Sequence, residues 1–340
     1  MTSLCPVSGS PRELLDALRP WLSRPDAEAA VVRTSGSTGE PKDVLLSRDA
    51  LAASARATLN RIGGPGQWLL AVPPDHVAGL QVLVRSVVAG SDPVVLSEHD
   101  SFAAAARAMT ASRRYVALVP TQLTRLIDTD ADVLASFDTV LVGGALSEPA
   151  LLGRARDAGV RVVTTYGMTE TCGGCVYDGL PLDGVGIRLD TDGRMHITGP
   201  VLFDGYRDRP GLTAETLVGG ELRTPDLGRL DHDGRLRVIG RIDDVVVSGG
   251  VNVPLPAVRE RVCEHPAVDD AAVIGARDPE WGTRVVAYVV ADPVPGIDEL
   301  RDFVSATLPR AWAPRELVVV PKIPLLNNGK VDRLALRNMS

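Results

Sequence analysis

The sequence predicts an α/β chain: a large N-terminal domain of helix-covered, mostly parallel sheet with an antiparallel β subdomain appended, then a small C-terminal α+β domain. Three observations predict it. From about residue 47 to 165, short apolar runs alternate with amphipathic stretches, the pattern of strand–helix units in a parallel sheet. After Gly184 the helical periodicity fades and a segment recurs, "RLDTDGRMHITG" at 188–199 and "RLDHDGRLRVIG" at 229–240, each carrying an Asp-Gly turn. After "GRIDD" at 240–244, helices and strands return in a further compact stretch. The expected domains are therefore 1–241, with the β subdomain at 184–240, and 242–340.

Each element has a local reason. "SRDALAASARATLNRI" predicts a helix, because Ser47 caps it, Asp49 suits its positive end, and Leu51, Ala55, Leu59 and Ile62 recur on one face. "QWLLAV" reads as a strand, "HVAGLQVLVRSVVA" as a helix, "PVVL" as a strand and "SFAAAARAM" as a helix. "YVALV", "TVLVG" and "VRVVTTYG" are further strands, with helices between them. Ligands of such sheets sit beyond the carboxyl ends of the strands. The two repeats read as β-hairpins; a calcium loop is excluded, since the further acidic ligands and the closing Glu are missing. In the C-terminal part, "PLPAVRERVCEHP" and "IDELRDFVSATLP" predict helices, and "DAAVIGA", "RVVAYVVA" and "RELVVVP" predict strands.

Composition bounds the function. The chain has 340 residues, 45% hydrophobic and 23% charged, as expected of a globular protein with a sizeable core. A net charge of −7 argues against a broad nucleic-acid-binding surface. The N-terminus lacks the charged start and apolar segment of a signal peptide, and no apolar run approaches a membrane span. Four cysteines in a chain this long do not make a disulfide framework, so the cytoplasm is the expected compartment. Cys172 and Cys175 have C-x-x-C spacing, but a zinc site would need a second ligand pair, and none is present.

The stretch "TSGSTGEPK", Thr34 to Lys42, has a phosphate-cradle composition: glycines admit the backbone, hydroxyls and N–H groups donate, and a lysine supplies charge. It is not a Walker loop, because Lys42 follows Pro41 and precedes Asp43. Lysine is scarce here; only Lys42, Lys322 and Lys330 occur. By itself the stretch also fits a polar loop before a helix. Four more motifs follow in order: "TTYGMTET" (164–171), "ELRTPDLGRL" (221–230), "GRIDDVVVSGGVNVP" (240–254) and "IPLLNNGKVDR" (323–333). Taken singly, Asp226 would cap a turn, Glu170 and Lys330 would be surface charges, and Tyr166 would be core.

With these five ordered motifs the sequence resembles the adenylate-forming superfamily of acyl-CoA synthetases, peptide-synthetase adenylation domains and luciferases. The resemblance covers nearly the whole chain and implies roles residue by residue. Thr34, Ser35, Ser37, Thr38 and Lys42 match the loop that holds the ATP phosphates. Gly143, Gly144 and Ala145 match the segment lining the adenine and acyl pockets, and Tyr166 matches the aromatic that stacks on adenine. Thr169 would contact the α-phosphate and Glu170 would hold Mg²⁺. Asp226, helped by Arg241, would bind the ribose hydroxyls. Asp243 matches the hinge to a mobile C-terminal domain. Lys330 matches the lysine of the first half-reaction, and Gly249 and Gly250 match the loop facing the thiol tunnel in the second.

Three features depart from the superfamily pattern. Pro225 stands where glycine is usual, "NNGK" lacks the usual small hydroxyl residue, and only 33 residues precede the cradle. That brevity implies that part of the usual sheet and acyl-pocket wall is missing. Together with "HVAGLQVLVRSVVAG" and "LVPTQLTRL", it makes the chain similar to the short, actinobacterial-type o-succinylbenzoate–CoA ligases of menaquinone biosynthesis. The implied reaction joins the acid to AMP with loss of pyrophosphate, then transfers the acyl group to coenzyme A. By the same resemblance His76 lies near the acyl pocket and Arg85 orients the substrate's second carboxylate; otherwise these are a helix-start residue and a solvated helical face. The implied cofactors and partners are ATP, Mg²⁺, coenzyme A and a small carboxylic acid, with no nucleic acid and no membrane span; a homodimer is left open. The same chemistry on another aryl or acyl acid, or nucleotide binding without turnover, are the alternatives.

Overall fold

A computed structural model describes residues 4–34, 41–145, 147, 149–325 and 331–339, without the side chain of Asp243. The described chain forms two compact units. The first comprises Met1–Arg188, His196–Thr224 and Leu230–Leu236; the second comprises Leu189–Met195, Pro225–Arg229 and Arg237–Ser340.

The first unit opens with helix α1 (Pro11–Ser23). It starts at a reciprocal cap: the Ser10 N–H donates to Glu13 Oε2 at 2.8 Å and the Glu13 N–H to Ser10 Oγ at 3.3 Å. Strands β1 (Ala30–Thr34) and β2 (Lys42–Leu46) then pair antiparallel, Ala30 opposite Leu46 and Thr34 opposite Lys42. Helix α2 (Arg48–Arg61) begins where Ser47 Oγ accepts from the Ala50 N–H. The alternation predicted from the sequence follows: β3 (Gln67–Leu70), α3 (Val77–Ala89), β4 (Val94–Val95), α4 (Phe102–Ala108), β5 (Arg114–Leu118), α5 (Pro120–Ala135), β6 (Thr139–Val142), α6 (Pro149–Asp157) and β7 (Val162–Met168). Strand β8 (Gly173–Tyr177) turns back against β7, and β9 (Leu180–Pro181) against β8.

These strands make one sheet in the order β4-β3-β5-β6-β7-β8-β9. The pairs from β4 through β7 are parallel, and β8 and β9 add antiparallel. Parallel strands covered by helices are buried on both faces, which explains their continuous apolar runs. Leu69, Val116, Leu118, Val140 and Val142 from the strands pack with Phe102, Leu123, Leu134 and Phe137 from the helical side.

Strands β10 (Gly186–Leu189) and β11 (Arg194–Thr198) form the first repeat's hairpin, whose turn glycine, Gly193, has φ 81°. The short strand β12 (Gly205–Tyr206) pairs with β2, and α7 (Pro210–Thr216) and β13 (Leu217–Val218) follow. Strands β14 (Glu221–Leu230) and β15 (Leu236–Arg241) form the second repeat's hairpin, with Gly234 at φ 77°. The Asp-Gly positions thus carry the positive φ that the turns demand.

The rest of the second unit is β16 (Val245–Ser248), β17 (Val251–Pro254), α8 (Leu255–Cys263), β18 (Val268–Asp278), β19 (Gly282–Ala291), α9 (Ile297–Ser305), β20 (Glu316–Val319) and α10 (Arg333–Arg337). β18 and β19 pair antiparallel, and β20 adds parallel to β19. The two-residue period of these strands divides their side chains between two cores. Ala271, Val273, Val285, Ala287 and Val289 pack with Val258, Val262, Leu300 and Val304 of the helices. Ala272, Ile274, Val286 and Tyr288 pack on the other face with Ile323 and Leu336. Among the described residues no helix is long and apolar enough to cross a membrane.

Candidate active site

Gly143–Ala145, Tyr166, Thr169 and Glu170 lie at the carboxyl ends of β6 and β7, neighbouring parallel strands of the first unit. Gly143–Ala145 follow β6 directly, and the Gly143 N–H donates to Leu118 O at 3.2 Å. A Cβ on Gly143 would lie 2.2 Å from Thr165 Oγ1, so a side chain there would push the segment off β7. Tyr166 sits on β7, opposite Val176 of β8. Thr169 and Glu170 begin a single 3₁₀ turn, Thr169–Thr171, just past the end of β7. Thr171 fixes that turn: its buried Oγ1 accepts from the Met168 N–H at 2.9 Å and donates to Gly173 O at 2.7 Å.

The described ends of the Thr34–Lys42 stretch lie on two paired strands. Thr34 ends β1 and Lys42 begins β2, so they are cross-strand partners, and Thr34 Oγ1 donates to Lys42 O at 3.3 Å. Ser35, Ser37 and Thr38 lie outside the described residues. The two flanking strands escaped the sequence reading because each is five residues long and broken by charge, Arg33 on one and Asp43 on the other. Those two charges form an ion pair at 2.8 Å, which holds Asp43 below the usual carboxylate range.

Sequence reasoning also missed Tyr206. Its hydroxyl donates to Glu170 Oε1 at 2.7 Å, and Lys42 Nζ lies over its ring, 5.3 Å from the centroid. Burial and the neighbouring Glu170 carboxylate push the phenol's pKa upward, so the group remains a donor. Only a two-residue strand carries Tyr206, too short to leave a period in the sequence.

His76 and Arg85 take different places on α3. His76 is the residue before the helix, with its ring mostly exposed and Nδ1 3.1 Å from Asp75 Oδ1. Nine residues on, about 13 Å along the axis, Arg85 is only 4% exposed. Its guanidinium lies 5.1 Å from the Trp68 ring centroid and donates to the Tyr177 hydroxyl at 3.4 Å. Burial pushes its pKa downward, and its Nε has no partner among the described residues. The solvated-face alternative for Arg85 is therefore excluded.

In the second unit Asp226 is buried, and Arg241 Nη1 approaches its Oδ1 to 3.4 Å. Asp243 falls in the 3₁₀ turn Ile242–Asp244. Gly249 and Gly250 make the β16–β17 turn, with φ 56° and 81°. The Gly249 N–H donates to Trp281 O at 3.0 Å, and a Cβ on Gly249 would meet the Trp281 ring at 2.6 Å. Lys330 lies outside the described residues, but its flanks are tied: Leu325 bridges Val331, and the Asp332 N–H donates to Pro324 O at 2.8 Å.

The residues fit Mg²⁺ delivered with a nucleotide. Among the described residues no cluster of three or more His, Cys, Asp or Glu can hold a metal ion. Glu170 offers one carboxylate, with Oε1 already oriented by Tyr206. Mg²⁺ commonly takes one or two carboxylates plus substrate phosphates and water, which suits a lone acid. Cys172 and Cys175 are buried free thiols; burial pushes Cys175 up to about 12 and Cys172 higher still, so neither is poised as a nucleophile.

Models of two protein families match the chain: AMP-binding enzyme over residues 9–206 and AMP-binding enzyme C-terminal domain over 258–330. The chain belongs to the AMP-binding enzyme family. It is 46% identical to a probable 2-succinylbenzoate–CoA ligase of Mycobacterium tuberculosis, over 98% of this chain and 90% of that protein. It is 30% identical to the 2-succinylbenzoate–CoA ligase of Listeria monocytogenes, over 95% of this chain and 72% of that protein. Among solved structures it is similar to the o-succinylbenzoate CoA synthetase of Bacillus subtilis in complex with its acyl-adenylate intermediate. That match has TM-score 0.78 and 30% identity, covering 92% of this chain and 70% of the other. The same synthetase in complex with ATP and magnesium ion gives TM-score 0.77. These AMP-binding relatives share the mixed α/β architecture expected from the sequence.

Proposed function

We propose that this AMP-binding enzyme is an ATP-dependent o-succinylbenzoate–CoA ligase, an acid–thiol ligase of menaquinone biosynthesis. The carrying observation is that one side chain, Tyr206, contacts both Lys42 of the cradle and Glu170 past β7. A phosphate-binding cation and a metal-binding acid thus share one locus at the strand ends, in a chain whose relatives carry that activity in their names.

In the first half-reaction an oxygen of the succinyl carboxylate attacks the α-phosphorus of ATP. The α–β phosphoanhydride bond breaks and pyrophosphate leaves. Two anions must meet, so Lys42, Lys330 and the hydroxyl of Thr169 offset the charge. Glu170 would hold Mg²⁺, which when bound would supply further charge neutralisation at the phosphates. Tyr166 stacks on adenine beside Gly143–Ala145, and Asp226 with Arg241 takes the ribose hydroxyls. In the second half-reaction the coenzyme A sulfur attacks the acyl carbon, the carbon–oxygen bond to phosphate breaks, and AMP leaves. The thiol path runs past Gly249 and Gly250, with Asp243 as the hinge between an N-terminal domain, 1–241, and a mobile C-terminal domain, 242–340. The proposed compartment is the cytoplasm, where ATP and coenzyme A are available. A homodimer belongs to the same proposal, and sedimentation velocity tests it.

The deciding experiment offers a panel of carboxylic acids with ATP and coenzyme A and follows pyrophosphate release and thioester formation. The expected result is the highest kcat/KM for o-succinylbenzoate. A higher value for another aryl or acyl acid would reassign the substrate, and no pyrophosphate with any acid would reduce the chain to a nucleotide binder.

His76 is placed in this proposal at the acyl pocket and Arg85 as the cation for the second carboxylate. What supports Arg85 is its buried Nε, which has no partner among the described residues. A buried guanidinium without an acid is costly, and a bound anion would offset that cost. Arg85→Met is expected to leave stability unchanged or raise it by about 1–2 kcal/mol, while KM for o-succinylbenzoate rises at least tenfold. Unchanged KM with unchanged urea midpoint would remove Arg85 from the pocket.

A further inference from the structure

Tyr206 is held more firmly than its two-residue strand requires. Its strand pairs with β2, Tyr206 opposite Val44 and Gly205 opposite Leu45. On either side, the Asp204 N–H donates to Leu45 O and the Arg207 N–H to Asp43 O, both at 2.9 Å. The Tyr206 N–H itself donates to Thr213 Oγ1 at 2.9 Å. The Phe203 ring meets its ring edge-on at 4.9 Å, and the Phe203 N–H donates to Glu170 O at 3.0 Å. The ring is thus held beside the strand that begins with Lys42 and tied to the turn that presents Glu170.

The chemistry of a phenol suits both neighbours at once. Its ring face attracts an ammonium. Its hydroxyl donates to a carboxylate. Lys42 takes the face and Glu170 the hydroxyl, and among the described residues no carboxylate pairs with Lys42. A direct Lys42–Glu170 pair would neutralise both charges before a nucleotide arrives. A rigid ring with separate contacts to each keeps both charges available.

We propose that Tyr206 is a positioning residue that keeps Lys42 and Glu170 apart and aims them, one at nucleotide phosphate and the other at the divalent cation. This inference rests on the roles given to Lys42 and Glu170 above. Removing the hydroxyl alone should release Glu170 while leaving the ring under Lys42. Outer-sphere partners of metal-binding carboxylates act in this way, and losing one weakens metal affinity about tenfold or more.

The test is calorimetric titration of the full chain with ATP, first in chelator and then at rising Mg²⁺ concentration. For Tyr206→Phe, the Mg²⁺ concentration giving half-maximal tightening of ATP binding is expected to rise about tenfold, while ATP affinity in chelator stays within about twofold. Tyr206→Leu removes the ring face as well and should also weaken ATP binding in chelator. Glu170→Gln separates the two layers of inference. If Glu170→Gln shifts the Mg²⁺ dependence and Tyr206→Phe does not, the positioning role is overturned and the metal role of Glu170 stands. If Glu170→Gln shifts nothing, the metal role fails, and the positioning role with it. Equal loss of ATP affinity with and without Mg²⁺ in Tyr206→Phe would mark a merely structural tyrosine and overturn the proposal.

Discussion

Replacing Lys330 with alanine is expected to slow adenylation by about 10²–10³-fold while thioester formation from supplied acyl-adenylate keeps most of its rate. The first half-reaction brings a carboxylate to a phosphate, and a compact ammonium on a flexible stem can reach both. The second joins a thiol to an already activated acyl group, where that charge is not required. Pyrophosphate release reads the first step, and loss of free thiol on mixing acyl-adenylate with coenzyme A reads the second. Equal loss in both would overturn the assignment of Lys330 to one step. Arginine should not rescue, because its planar guanidinium is bulkier and spreads its charge. Arg333, three residues on in the chain, pairs with Asp244 of the Ile242–Asp244 turn at 2.6 Å.

Much of this organisation is legible in the sequence, and the exceptions have physical causes. Helix α2 is readable because its cap and its apolar stripe are both local: Ser47 takes the Ala50 N–H, and Leu51, Ala55 and Leu59 are buried. Both repeats carry a glycine where the turn needs positive φ. Helix α1 had a readable signal too, the Ser10–Glu13 spacing of a capping box ahead of an apolar run, in a segment considered only for targeting. Tyr206 had no such signal. Its value comes from two distant segments, carrying Lys42 and Glu170, that only tertiary structure assembles. Arg85 shows the converse: the charged letter suggests a solvated face, and the fold buries it against Trp68.

Gly167→Ala is expected to be the most damaging small substitution in the first unit. Gly167 lies on β7 between Tyr166 and Met168, opposite Gly174, just past a shift in the β7–β8 register. A Cβ there would sit 2.0 Å from Gly173 O and 2.7 Å from both Gly173 C and Gly174 Cα. All three are backbone atoms, so no side chain can swing aside. The strands would have to part, and parting them breaks the Thr171 bonds to Met168 and Gly173 that hold the Thr169–Glu170 turn. A loss of more than about 3 kcal/mol is expected, with ATP binding lost alongside it. Gly153 in α6 is the matched comparison, because a Cβ there meets nothing within 4 Å. Gly153→Ala should be neutral or stabilise by up to about 1 kcal/mol, as alanine favours a helix interior over glycine. Urea unfolding of the two variants measures the difference. If Gly167→Ala kept both the wild-type midpoint and the wild-type ATP affinity, the close approach of β7 to Gly173 would not be what positions Thr169 and Glu170. If it lost ATP affinity alone, that approach would be serving the site and contributing little to the stability of the sheet.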